Sequence, residues 1–332
     1  MFLWFFNFLF CETVAQTIHF SQAYMGHLTL NAANTGRFDG DWRVGFMHRQ
    51  QGFEMRNDYS TSYLSVEYPF YIKKQKLNTG FYYSHDNSSE GSFPSERIYL
   101  SIAKGVLLSH RSQLNVGIQG GYVYKHLNRL GLTFPDQYSR DLGGFDEALP
   151  TSEIFEKMST SYIDLNAGIV YQYKVKQGVI SLGYSMHQLN RPEESFYGLH
   201  KVLPLKYVLQ SKSDINIGTE FFVIPSVIYL YQSPIEETLI GMNLGYNLNR
   251  WLTVRNNVIA GIHLRNIHEK SAGSLIISGG FTWQYWSVMA SYDTNTWLSN
   301  ENRPYGQSLE IGVVYKLPST EINQKTIPCE RY

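Results

Sequence analysis

The chain is poor in cysteine, in charge and in long apolar runs. Only Cys11 and Cys329 occur among 332 residues. Removal of an N-terminal leader that holds Cys11 leaves Cys329 alone, so no intrachain disulfide can form in an oxidising compartment. Charged residues make 17% of the chain, formal net charge is zero and no basic run occurs, which argues against a nucleic-acid partner. After the leader no apolar stretch approaches roughly 18 residues, so helical membrane spans are excluded. A mean hydropathy of -0.27 agrees with that. P-loop, G-x-S-x-G and His-Glu-x-x-His patterns are all missing, so the commonest nucleotide, nucleophile and zinc signatures are absent. Length fits one large domain or two modest ones and decides little.

The start of the chain is patterned for export. Phe2 to Phe10, interrupted by Asn7, is too short to cross a bilayer as a helix and suits the apolar region of a signal peptide. Thr13 and Ala15 occupy the small positions before a cut after Ala15, which makes residues 1–15 the signal peptide and Gln16 the new N-terminus. The positive region that normally opens such leaders is missing, consistent with a start codon upstream of the one written. Cys11 follows bulky Phe10, which disfavours a lipid-attachment site.

Aromatic residues are in excess, at 15% of the chain, as expected when strands face lipid and end in aromatic girdles. Alternation supports the same architecture. Ile163, Leu165, Ala167, Ile169, Tyr171 and Tyr173 alternate with Asp164, Asn166, Gly168, Val170, Gln172 and Lys174, one face apolar and the other almost wholly polar. The same period recurs in 114–125, 180–187, 240–249 and 309–317, and more weakly near 42–50, 62–70, 76–85, 96–106, 203–211, 215–231, 252–264, 274–285 and 287–293. A soluble β-sandwich would carry charge on its outer face. Here the second face is Gly, Asn, Ser and Gln, which fits a small-residue or watery lumen. The expected fold is all-β: a transmembrane antiparallel β-barrel over residues 41–317, with an even number of strands, about 14. Residues 174–178 and 247–250 read as tight turns, and 126–160, 190–202 and 293–306 as long connections on the opposite side.

Residues 16–40 form a polar N-terminal segment, rich in Gln, His, Asn and small side chains. Two readings stand: a segment folded into the lumen or across the periplasmic mouth, where polar surroundings satisfy its amides, or a flexible leader that only positions the first strand. Arg49 and Gln50, which close the first strand, are candidates to hold it. An interfacial role for Arg49 is the alternative.

Four separated motifs carry a family resemblance. The first is Ile18-His-Phe20-Ser21-Gln22 with Leu28-Thr-Leu-Asn31-Ala-Ala, Thr35-Gly36, Trp42-Arg43 and His48-Arg49-Gln50. The second is Leu132-Thr-Phe-Pro-Asp136-Gln137 with Gly144-Phe145 and Thr151-Ser-Glu153. The third is His187-Gln-Leu-Asn190-Arg-Pro192-Glu-Glu-Ser195-Phe196 leading to Leu203-Pro-Leu-Lys206-Tyr207. The fourth is the tail, Ile327-Pro328-Cys329-Glu330-Arg331-Tyr332. In this order they resemble the PorP/SprF family of outer-membrane proteins, associated with the type IX secretion system and gliding motility. The likeness runs from Ile18 to Tyr332. It departs at Ala32 and at Glu330, where the family commonly has Pro.

The resemblance implies a non-enzymatic component of the bacterial outer membrane that assists secretion or surface attachment of specific cargo, such as gliding adhesins with a type IX C-terminal domain. It implies contact with other secretion-system subunits in outer membrane and periplasm, besides membrane lipid, and no cofactor. A passive porin or small-solute transporter is the alternative that the Gly, Asn and Ser face suggests.

Three local features carry weaker chemistry. Ser185, His187 and Asn190 lie close in sequence, but Ser185 and His187 stand side by side along one strand, a spacing that misaligns hydroxyl and imidazole for proton transfer. Asp136, Asp141, Asp146, Glu147, Glu153 and Glu156 make the long loop acidic, yet without the fixed spacing of a calcium loop. The tail, residues 318–332, follows the last strand and carries Cys329, either a thiol that pairs with a partner or a buried small hydrophobe.

Overall fold

The computed structural model describes residues 20–52, 59–72, 75–88, 93–128, 134–146, 148–152, 158–195, 201–248, 256–267, 272–295 and 307–317. The leader and the tail with Pro328, Cys329 and Arg331 lie outside the described residues.

Alternating sequence becomes alternating burial. Along Ser159–Val175 the odd positions turn outward and the even ones inward: Ile163 is 63% exposed and Asp164 only 4%. The first five strands are β1 (Trp42–Gln51), β2 (Tyr59–Ile72), β3 (Gln75–Ser88), β4 (Ser95–Leu107) and β5 (Ser112–His126). The long connection that follows carries a small ribbon of β6 (Tyr138–Ser139) and β7 (Gly144–Phe145). Then come β8 (Ser159–Val175), β9 (Gly178–His187), β10 (Lys206–Ile217), β11 (Phe221–Gln232) and β12 (Ile235–Asn247). β13 (Asn257–Ile267), β14 (Ala272–Trp283), β15 (Trp286–Asn295) and β16 (Ser308–Leu317) complete the wall. The ribbon apart, the strands form a closed 14-stranded antiparallel barrel, shut where β16 returns to β1 with Trp42 opposite Leu317 and Gln51 opposite Ser308. Closure leaves the wall without an unpaired edge, the condition for crossing a bilayer with strands.

The outer surface is a lipid-facing belt of Leu100, Ile118, Leu182, Ile262 and Ile277, all more than half exposed, between rings of aromatics. At one end Trp42 packs on Tyr68 with centroids 4.5 Å apart and Trp286 on Tyr315 at 4.7 Å. Toward the other end Tyr207 stacks on Tyr231 at 6.3 Å. These are the interfacial girdles that amphipathic rings form.

The long connections after β5, β9 and β15 share one end of the barrel, as their alternation requires. Both ends of the wall, Trp42 and Leu317, lie at the other, the side of short turns and by that asymmetry the periplasmic one. Two expectations need correction. Residues 215–231 are not one strand, because Gly218 takes a left-handed φ of 69° and turns β10 into β11. Residues 247–250 are not a tight turn: Leu248 N–H bonds to the Asn256 carbonyl at 2.8 Å, closing a wider loop between β12 and β13.

Candidate functional site

The interior of the barrel is occupied by the chain's own N-terminal segment. From Phe20 onward it runs down the lumen, from the level of the long connections to Asp41, whose N–H joins the Leu317 carbonyl at the periplasmic end. With no strand partner, its backbone must find other bonds. Two short 3-10 turns, His27–Thr29 and Ala32–Asn34, supply some. Asn31 caps the second by accepting from the Ala33 N–H at 2.9 Å. The Thr29 and Thr35 hydroxyls each donate to the carbonyl three residues back, at 2.8 Å.

Near the long-connection end one carboxylate grips the segment. Glu310 on β16 accepts the N–H groups of Ser21 and Gln22, one on each oxygen, both at 2.8 Å. The Ser21 hydroxyl donates to Asp293 on β15 at 2.6 Å, and Arg49 donates to that hydroxyl. Arg49 also reaches Asp293 at 3.1 Å and Glu310 at 3.3 Å, and Arg265 on β13 reaches Asp293 at 3.0 Å and Glu237 at 3.1 Å. Glu310 and Asp293 are wholly buried and both arginines nearly so. Burying charged groups costs least where each is paired and hydrogen-bonded, as here.

Lower down a second carboxylate repeats the device. Glu67 on β2 accepts the Gly36 N–H at 2.7 Å and Arg43 at 2.9 Å, with His27 Nε2 3.0 Å away. The Asn31 amide donates across the wall to the Ile169 and Tyr184 carbonyls at 3.1 and 3.2 Å. Between the two grips lies an apolar luminal core of Phe20, Met25 and Leu28 against Met47, Tyr63, Phe222 and Met289. From Phe20 a ladder of rings continues through Tyr63, Tyr82 and Tyr99 at centroid separations of 5.7, 5.5 and 4.7 Å. Burying each of the three segment side chains contributes about 1.5–3 kcal/mol. The polar lumen expected from the strand faces therefore holds a core as well.

Glycines on the inner wall make room for the segment. A Cβ on Gly168 would lie 2.0 Å from the Asn31 Oδ1, and one on Gly117 2.4 Å from the Ala32 carbonyl carbon and oxygen. Backbone cannot yield as a side-chain tip would, so Gly117→Val is expected to push residues 31–33 off the wall. Trypsin should then cut after Arg37 roughly tenfold faster than in the parent, the factor that ~1.4 kcal/mol of local opening gives. Limited proteolysis followed by N-terminal sequencing checks this.

The structure thus brings Phe20, Ser21, Gln22, Asn31, Gly36 and Arg49 together in one lumen. Gln50 is exposed on the outer surface of the wall, on the opposite face from Arg49. Asp136 and Gln137 organise the long loop instead. Gln137 donates to the Leu149 carbonyl at 2.7 Å and accepts the Phe134 N–H at 3.0 Å. Asp136 accepts the Ser152 N–H at 2.6 Å, the Ser152 hydroxyl at 2.8 Å and the Thr151 hydroxyl at 3.0 Å. Those bonds, the Ser152 N–H first, hold the Asp136 carboxyl below the usual carboxylate range. A depressed folded value means that the bonds contribute above about pH 4 and are lost as pH falls through it. Protease resistance of residues 134–152 should be flat from about pH 8 to 5 and fall below ~4, and Asp136→Asn should lower it throughout. Among the described residues no three His, Cys, Asp or Glu side chains gather as metal ligands.

Asn190, Pro192 and Ser195 lie in the connection from β9 to β10. Asn190 bonds the backbone of Leu165 at 3.1 Å and of Ile163 at 2.7 Å, and buried Pro192 accepts the Leu203 N–H at 2.9 Å. Ser185 and His187 are in contact, closer than their spacing along the strand suggested. They stand 3.1 Å apart, yet the Ser185 hydroxyl donates to the Leu30 carbonyl at 2.6 Å, which His187 Nε2 also contacts at 3.1 Å, so the hydroxyl proton points away from the imidazole. Sequence reading missed Glu67, Arg265, Asp293 and Glu310 as site residues. A full charge set on an otherwise small, neutral strand face was the available signal.

The sequence profile of the type IX secretion system membrane protein PorP/SprF matches residues 13–315. No curated protein matches the chain. Among solved structures, a deltaS2S3 mutant of the monoaromatic hydrocarbon channel TodX is similar at 8% identity, covering 83% of this chain and 89% of that one, with a TM-score of 0.52. The monoaromatic hydrocarbon channel CymD is similar at 11% identity, covering 91% and 95%, with a TM-score of 0.50. At such identities the likeness concerns the fold alone.

Proposed function

Because the chain belongs to the PorP/SprF family of type IX secretion system membrane proteins, we propose that it is a non-enzymatic accessory of that system, assisting the secretion or surface attachment of particular cargo. It is a protein of the bacterial outer membrane. The cargo class is a surface protein, such as a gliding adhesin, with a type IX C-terminal domain. Partner subunits lie in the outer membrane and the periplasm. In this reading residues 1–15 leave at export, residues 16–40 serve as the plug and 41–317 as the barrel.

The observation that favours an accessory over a passive porin is the filled lumen. A porin needs a continuous aqueous path, whereas here two carboxylates and an apolar core hold a peptide segment along the axis. Tagged protein from detergent-solubilised outer membranes is expected to bring down a large surface protein together with secretion-machine subunits. Recovery of the barrel alone, or a deletion strain that still displays every surface protein, would refute the accessory role.

A further inference from the structure

Beside the Glu310 grip, between the N-terminal segment and the wall, lies a cavity of about 30 Å³. Gln22 of the segment, Asn243 of β12, His263 of β13 and Ser278 of β14 line it, each at least nine-tenths buried. Each also keeps one polar atom without a hydrogen-bond partner among the described residues: Gln22 Oε1, Asn243 Oδ1, His263 Nδ1 and Ser278 Oγ. Register brings the wall groups together. Asn243, Gly261 and Ser278 stand in one row across β12, β13 and β14, and a Cβ on Gly261 would lie 1.8 Å from Asn243 Oδ1 and 2.6 Å from Ser278 Oγ. The two side chains thus lean over the glycine from either side, within the span of one bridging water, about 5.6 Å. His263 follows two residues along β13 on the same inner face. On the segment, Gln22 Nε2 donates to Ser291 Oγ at 3.2 Å and to the Glu310 carbonyl at 3.3 Å, which leaves Oε1 to face the cavity.

The chemistry of the four atoms selects the occupant. The amide oxygens of Gln22 and Asn243 only accept, whereas the Ser278 hydroxyl and the His263 imidazole can each donate or accept. An occupant must donate to the first two and take either role toward the others, as water does. No carboxylate, lysine or arginine lines the cavity, and Arg265, two residues beyond His263, pairs with Asp293 at 3.0 Å outside it. An ion would therefore find no counter-charge in the lining. The Ser21 and Tyr24 hydroxyls already donate, to Asp293 at 2.6 Å and to the Ser211 carbonyl at 2.9 Å. Ser226 adds one more hydroxyl, Met25 and Met289 add sulfur, and the rest of the lining is apolar.

We infer that this cavity is a hydration site for roughly two or three ordered waters, at ~10–15 Å³ each, which join Gln22 to Asn243, His263 and Ser278. Buried acceptors left unbonded are costly, and a bridging water is enthalpically nearly as good as a direct bond. The waters fasten the segment to β12, β13 and β14, as Asp293 and Glu310 fasten it to β15 and β16. Part of the plug's mount is then solvent held inside the barrel. A Cβ on Gly312 would lie 2.8 Å from the Met25 sulfur and 3.2 Å from Gln22 Oε1, so the sulfur stands beside that acceptor and reports on a water bound to it.

X-ray radiolysis of the full chain in detergent, read by mass spectrometry, tests the site, because hydroxyl radicals made from a bound water oxidise the nearest sulfur before they can diffuse away. Met47 is the control, wholly buried in the same luminal core but outside this lining. Met25 and Met289, 2% and 6% exposed, are expected to form sulfoxide faster than Met47. In a variant carrying Asn243→Leu and Ser278→Ala they should fall to its rate, since a cavity stripped of those polar groups dries. Sodium or potassium chloride at ~0.15 M should leave the labelling unchanged. Three results would overturn the site: Met25 and Met289 no faster than Met47, their rates unchanged in the variant, or labelling lost on adding either salt, which would assign the cavity to a cation. Should the variant not fold, the comparison of the three methionines in the parent protein still decides.

Discussion

Deletion of residues 20–38 should turn a silent barrel into a conducting one. In planar bilayers the full-length chain is expected to stay near baseline. The shortened chain should show discrete steps with a mean conductance at least about tenfold higher, because lumen width grows with strand number and 14 strands enclose more than their own side chains fill. The deleted residues supply Phe20, Met25 and Leu28 of the luminal core and the groups that occupy Glu310, Asp293 and Glu67. Water can take over those carboxylates once the segment is gone, and the wall keeps its own closed ladder of hydrogen bonds. The barrel should therefore survive the deletion while its interior floods. Equal conductance in the two proteins would show that the segment is no barrier, and would move the function toward a passive porin. Gly117→Val is an independent route to the same state, since it displaces the segment without removing it.

The wall was legible in the sequence because lipid imposes its demand at every second residue. β8 reads correctly from Ile163 to Tyr173 since each outward position meets the same solvent, and no distant partner is needed to interpret it. The inner face was legible only as a composition. Gly117 and Gly168 look like positions beside water, yet they are small because Ala32 and Asn31 lie against them. Ser21 and Glu310 are 289 residues apart in the chain, so no local pattern couples them. Tyr63, Tyr82 and Tyr99 face inward from three neighbouring strands, and an aromatic on the polar face breaks the alternation that otherwise identifies the strands. The motif residues were recognisable as a set. That Arg49 grips the segment while adjacent Gln50 faces outward follows from strand parity, which places consecutive residues on opposite faces.

Glu310→Ala should be the most damaging single substitution in the molecule. Glu310 is wholly buried and accepts the Ser21 and Gln22 N–H groups while pairing with Arg49. Its removal leaves two buried amide donors without acceptors and weakens the pairing of a buried guanidinium, and breaking a buried pair from one side costs about 3–5 kcal/mol. Urea unfolding in detergent should show that loss as a lower midpoint at unchanged slope. Glu310→Gln keeps an acceptor oxygen for one N–H and gives up the charge, so it should fall between the parent and the alanine variant. Adding Arg49→Ala to Glu310→Ala should cost less than the two single changes summed, because the double variant no longer buries an unpaired charge, and a cycle of the four proteins isolates that coupling. A loss below about 1 kcal/mol for Glu310→Ala would mean that water replaces the carboxylate at no cost. The upper grip would then be a consequence of the segment's position in the lumen, with Glu67 and the apolar core left to hold it there.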